Sequence, residues 1–175
     1  MNLVLIGYRG TGKTTIGRIL ADRLGWPLVD TDTLIQERAG KSIKEIVASD
    51  GWPEFRRLER EVIAEVAARD RQVVSAGGGA ILDAASRKAL RASGRVVWLT
   101  AAPETIWQRL QADAKTAAER PNLTTSGGVT EVRKVLGERR AAYQAACHHE
   151  IATDKCSPDE SAAHILAWFK ALQES

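Results

Sequence analysis

Residues 7–14 read GYRGTGKT and fit the pattern G-x-x-x-x-G-K-[ST] at Gly7, Gly12, Lys13 and Thr14. The pattern constrains the fold, because it works only where a strand runs into the loop and a helix leaves it. The apolar run from Asn2 to Gly7 supplies the strand, and Ile16, Leu20 and Leu24 mark one face of a helix starting near Lys13. Gly10 and Gly12 let the backbone curl, so that successive N–H groups and the helix N-terminus face a polyphosphate without side chains intervening. On this reading Gly10, Thr11, Gly12, Lys13, Thr14 and Thr15 cradle a nucleotide such as ATP. Lys13 reaches its β and γ phosphates, and the Thr14 hydroxyl ligates Mg²⁺.

The rest of the chain repeats the same alternation of short apolar runs and longer helical patterns. Further strands are expected at Pro27 to Asp30, Gln72 to Ser75, Arg95 to Leu99 and Glu150 to Thr153. Phe55, Leu58, Val62 and Val66 mark the buried face of another helix. The expected architecture is a three-layer α/β sandwich: a five-stranded parallel sheet with helices on both faces. At 175 residues, one domain spanning 1–175 is expected, since the length supports one substantial core and not two. The net charge of +3 is spread along the chain with no basic block, which argues against nucleic acid as a partner. The short apolar N-terminus soon meets Arg9 and Lys13, as neither a signal peptide nor a membrane span would, so a cytoplasmic location is expected. Cys147 and Cys156 lack the companions of a zinc site or a disulfide framework. His148, His149 and His164 are assigned to surface or packing roles.

Candidate site residues gather after the strands, at the sheet edge where open α/β folds bind ligands. Asp30 and Asp32, at i and i+2 on an extended strand, would point to one side. Asp30 is then placed to hold Mg²⁺ through water, and Asp32 to accept a hydrogen bond from a substrate hydroxyl; the alternative for Asp32 is that it caps the next helix. Residues 32–60 read as short helices broken by Gly40 and Gly51, large enough to wall a substrate pocket. Within them Arg56 and Glu59 share a face at i, i+3, which suits a guanidinium held ready for a planar anion, or else a solvated ion pair. Gly77, Gly78 and Gly79 end the third strand and would let a ligand approach the main chain, unless they only make a tight turn. The turn-rich stretch at about 112–128 reads as a lid, or alternatively as a surface loop.

Taken together, GYRGTGKT, the DTD at Asp30 to Asp32, EFRRLE, the triple glycine, ERP ending in Pro121 and ERRAAY resemble the motif series of shikimate kinases. The order and approximate spacing match over nearly the whole chain. The resemblance implies a P-loop NTPase fold of the nucleoside-monophosphate-kinase type and transfer of the ATP γ-phosphoryl group to the 3-hydroxyl of shikimate. It implies that Lys13, Asp32 and Arg120 carry the reaction, Asp32 holding ring hydroxyls and Arg120 reaching the phosphates from the lid. It further implies that Arg56 and Arg139 clamp the substrate carboxylate, that backbone groups of Gly78 and Gly79 complete the pocket, and that Arg109 or Lys155 borders the adenine. It favours a monomer with small-molecule substrates only and no membrane partner. The chain departs from the family where Trp52 and Pro53 follow Gly51, a place where Gly-Glu is common, and where RPNL replaces RPLL. Rival readings are a related kinase for a nucleoside monophosphate or a sugar acid such as gluconate, and a nucleotide-binding module without catalysis.

Overall fold

A computed structural model describes residues 1–113 and 121–173. Five parallel strands, β1 (Asn2–Ile6), β2 (Leu28–Asp30), β3 (Val73–Ser75), β4 (Gly94–Thr100) and β5 (His149–Ala152), form one sheet in the order β2-β3-β1-β4-β5. Helices α1 (Lys13–Leu24), α2 (Thr31–Ala39), α3 (Ile43–Ala67), α4 (Ala84–Ser93), α5 (Pro103–Ala112), α6 (Gly128–Ala146) and α7 (Pro158–Ala171) connect and cover the strands, with a 3-10 turn at Ala80–Leu82.

The layers follow from side-chain alternation in strands buried on both faces. Val4 and Ile6 of β1, with Val96 and Trp98 of β4, join a core built from α2, α3, α4 and α6. Leu3, Leu5, Val97 and Leu99 point the other way, into a core built from α1 and α7. The expected helical faces are present: Phe55, Leu58, Val62 and Val66 are all buried, and so are Ile16 and Leu20. A third, smaller cluster of Tyr8, Ile106, Val132 and Val135 lies between the phosphate loop, α5 and α6.

Two local features position the site. No side chain caps the start of α1, where Gly12 takes a left-handed conformation (φ 99°, ψ 11°) and leaves the first helical N–H groups facing the loop. In α3, Gly51 is non-helical (φ 83°, ψ 169°), so the helix kinks there and Pro53 opens its second limb. Gly40 (φ 68°) ends α2, so the breaks read at Gly40 and Gly51 are both present.

One expectation needs correcting. Asp30 and Asp32 do not share an extended strand, because β2 ends at Asp30 and α2 begins at Thr31. Asp30 is the cap, accepting a hydrogen bond from Thr33 N at 3.1 Å, and Asp32 sits in the first helical turn. An acidic side chain there is favoured by the helix dipole. His148 and His149 take packing roles: Val96 N donates to His148 Nδ1 at 3.0 Å, and the His149 ring stacks on Trp168.

Candidate active site

The strand ends and the loops after them enclose two adjoining cavities. The larger, of about 370 Å³, is lined by residues 9–16 together with Asp30, Asp32, residues 75–77, Arg109, Leu110, Asp113, Thr153 and Pro158. All six candidate nucleotide contacts from Gly10 to Thr15 line it, as do both candidate metal residues, Thr14 and Asp30. Lys13 donates to the carbonyls of Gly7 (2.7 Å) and Tyr8 (2.9 Å), which holds its ammonium against its own loop. Arg109 is fixed at the other side, donating to Gly10 O at 3.2 Å, Thr153 Oγ1 at 3.1 Å and Thr153 O at 3.1 Å. The Thr153 hydroxyl in turn donates to Thr11 O at 2.8 Å, so the end of β5 braces the loop. Lys155 lies in the exposed turn that follows, outside the lining of this cavity.

The smaller cavity, of about 50 Å³, lies between the phosphate loop, the triple glycine and the kinked helix α3; its charged lining is Arg9, Asp32, Arg56, Glu59 and Arg139. Arg56 donates to Glu59 at 2.6 Å, and its guanidinium lies over the rings of Trp52 (5.6 Å) and Phe55 (5.2 Å). Those contacts fix a planar donor fork before any ligand arrives. Burial pushes the Glu59 carboxyl above its ordinary range, while the Arg56 guanidinium pulls it down. Arg139 is 8% exposed and lies 6.0 Å from the Tyr8 ring centroid.

The triple glycine is the floor on which these groups converge. A Cβ on Gly77 would come within 2.6 Å of Asp32 Oδ1, and one on Gly79 would collide with the Arg56 guanidinium. A Cβ on Gly78 would stand 3.3 Å from Arg139 Nη1. Only bare backbone lets two arginines and a carboxylate approach together. Tyr143 donates its hydroxyl to Gly78 O at 2.6 Å and so holds this strip in place.

Every sequence-predicted acceptor residue, Asp32, Arg56, Gly78, Gly79 and Arg139, lines the smaller cavity. Arg120, expected in the lid, lies outside the described residues. Sequence reasoning missed Tyr8, Arg9, Tyr143 and Thr153 as parts of the site. Arg9 occupies a free position of the loop pattern, and Tyr143 closes the ERRAAY run; neither pattern states a partner. Asp32 and Arg9 line both cavities, so one hydroxyl acceptor and one cation stand where the two spaces meet. The arrangement can hold a polyphosphate on one side and a small polyhydroxylated anion on the other.

Comparison with known proteins places the chain in a recognised group. A family model described as shikimate kinase matches residues 9–170. A shikimate kinase of Symbiobacterium thermophilum is 44% identical, over 99% of this chain and 97% of that protein. One of Oleidesulfovibrio alaskensis is also 44% identical, over 92% of each. Among solved structures, shikimate kinase from Acinetobacter baumannii in complex with shikimate superimposes with a TM-score of 0.91 at 32% identity, covering 99% of this chain and 95% of that one.

Proposed function

The chain belongs to the shikimate kinase family, whose members are ATP-dependent kinases of shikimate, and we propose that it makes shikimate 3-phosphate and ADP by transfer across the junction of its two cavities. The observation that carries the residue assignment is that Asp32 borders both cavities. A hydroxyl held by Asp32 would stand next to the phosphate loop, with the rest of the acceptor clamped by Arg56 and Arg139 through its carboxylate.

Phosphoryl transfer asks for alignment, charge neutralisation and exclusion of water rather than covalent chemistry by the protein. The loop N–H groups and the start of α1 would bind the phosphates, and Lys13 would leave its carbonyl partners to meet the β and γ oxygens. Asp32 would orient the 3-hydroxyl and accept its hydrogen bond. Arg120 is assigned to the transferring phosphoryl group on the family resemblance, and Arg109 to the adenine. Thr14 and Asp30 offer an oxygen-only donor set in one cavity, which fits a hard cation, so they would hold Mg²⁺, Asp30 through water. When bound, the ion would neutralise phosphate charge. We read residues 1–175 as one monomeric, cytoplasmic kinase domain, with an acceptor-binding subregion at about 32–60 and a lid at about 112–128. Among the described residues no helix is long and apolar enough to cross a membrane.

The test is ADP release from ATP and Mg²⁺ with shikimate, set beside gluconate, quinate and nucleoside monophosphates, with product mass determined. Shikimate-dependent release with a product heavier by one phosphate is expected. Phosphorylation of another acceptor while shikimate stays inert would overturn the assignment of the smaller cavity.

A further inference from the structure

Away from both cavities, an open groove of about 520 Å³ runs between α4 and the entry to β5, lined by Ala84, Arg87, Lys88, Arg91, Ala92 and His148. Its charged lining is wholly basic, and α4 itself contains no acidic residue. Among the described residues Arg87, Lys88 and Arg91 form no ion pair, whereas Arg23, Arg38 and Arg57 each face a carboxylate. Like charges at i and i+4, as at Arg87 and Arg91, disfavour a helix, and nothing in α4 offsets that cost. Main-chain bonds nonetheless hold both arginines in place. Arg87 Nη1 donates to Ile81 O at 2.8 Å. Arg91 Nη1 donates to the carbonyls of Ala145 (3.1 Å), Ala146 (2.8 Å) and Cys147 (3.1 Å) at the end of α6. Each guanidinium thus spends one terminal nitrogen on the fold, and its Nη2 and Nε have no partner among the described residues. His148 accepts from Val96 N at Nδ1, so its neutral ring carries the proton on Nε2 as one more donor.

We propose that this groove binds the phosphate group of a small anion, at a site separate from the two cavities described above. The function proposed above is not a premise, because the groove shares no lining residue with either cavity. Two guanidinium forks, an ammonium and an imidazole N–H offer more donors than the two oxygens of a carboxylate can use. A phosphate presents its oxygens around a tetrahedron and carries a charge of about −1.5 to −2 at neutral pH. Because the forks are braced by carbonyls, little side-chain freedom is lost when an anion is bound. The local potential is positive: burial first, and then the Arg91 and Arg95 charges, lowers the His148 pKa. A groove of this volume lies within the range of small-molecule sites, roughly 300–1,000 Å³, so an organic group can accompany the phosphate.

The experiment follows the His148 ring resonances by NMR, assigned from their loss in His148→Asn. The full chain, saturated with ADP, Mg²⁺ and shikimate to occupy the two cavities, is titrated at about pH 7.5 and constant ionic strength with inorganic phosphate, glycerol 3-phosphate or citrate. Both phosphates are expected to shift the resonances saturably with a Kd of about 1 mM or lower, and citrate to bind at least about tenfold more weakly. Tighter binding of glycerol 3-phosphate assigns the site to an ester, and tighter binding of inorganic phosphate assigns it to the free ion; either upholds the site. Arg91→Gln and Lys88→Glu should each weaken phosphate at least about tenfold. Lys88 makes no main-chain tie, so its variant decides if Arg91→Gln fails to fold. Lys170→Glu, an equal charge reversal on α7, should keep the wild-type Kd. No His148 shift with either phosphate overturns the proposal, as does a wild-type Kd in Lys88→Glu. An equal loss in Lys170→Glu, or citrate binding as tightly as phosphate, overturns it too, by showing diffuse charge attraction in place of a site.

Discussion

Glu59 is the buried half of an ion pair whose other half faces the acceptor cavity: its side chain is 3% exposed, against 26% for Arg56. Its Oε2 has no hydrogen-bond partner among the described residues, and burial raises its pKa, so the charge is costly where it stands. That cost is offset only in function, by keeping the Arg56 fork aimed at the cavity. Glu59→Gln should therefore raise the KM for shikimate about five- to tenfold, with kcat changed less, because a ground-state clamp is weakened and no reacting group is touched. The melting temperature should change little, because the neutral amide ends the cost of a buried charge but leaves the part-buried Arg56 guanidinium without its carboxylate. Steady-state kinetics beside a thermal melt check both, and an unchanged KM would remove Glu59 from substrate binding. This pair was readable in the sequence, since i, i+3 spacing on one helix brings two side chains together. The Tyr143 bond to Gly78 was not, because 65 positions separate the partners and no local spacing encodes their meeting.

At the scale of elements, α3 shows how a kink serves a site. Its first limb ends at Gly51, and the second places Trp52 edge-on to Phe55 at 5.8 Å, with Arg56 over both rings. The Gly51 backbone (φ 83°, ψ 169°) is a region that side chains other than glycine rarely enter. Gly51→Ala should cost about 1–3 kcal/mol of stability by urea unfolding and raise the KM for shikimate, since relief of the strain rotates the limb bearing Arg56. Stability and KM both at wild-type values would show that the kink does not depend on glycine. The break itself was legible, because glycine interrupts a periodic apolar pattern. The end of β2 was less so: DTD was read as strand with a cap at Asp32 as the alternative, whereas the bond from Thr33 N makes Asp30 the cap.

For the whole molecule, alternation of strand and helix was enough to foresee three layers, but the order β2-β3-β1-β4-β5 was not legible, because strand patterns carry no label for their neighbours. The outer edge of that sheet also sets how stability should depend on pH. Entry into β5 is fastened by a reciprocal pair, His148 N donating to Val96 O at 2.8 Å and Val96 N donating to His148 Nδ1 at 3.0 Å. The second bond exists only while Nδ1 carries no proton. Partial burial, with the Arg91 and Arg95 charges adding, lowers the His148 pKa below 6.5, and burial lowers that of His149. A histidine whose pKa is lower in the folded state binds more protons when unfolded. Its contribution to stability is then complete above about pH 6.5 and is lost as pH falls through 6.5 toward the lowered folded value. The urea midpoint of the wild type should accordingly fall between about pH 7 and about pH 5. In His148→Asn the fall should be smaller, because the Asn carbonyl can accept from Val96 N at either pH. A histidine NMR titration placing His148 at or above 6.5, or identical pH slopes in the two proteins, would refute this account of the sheet edge.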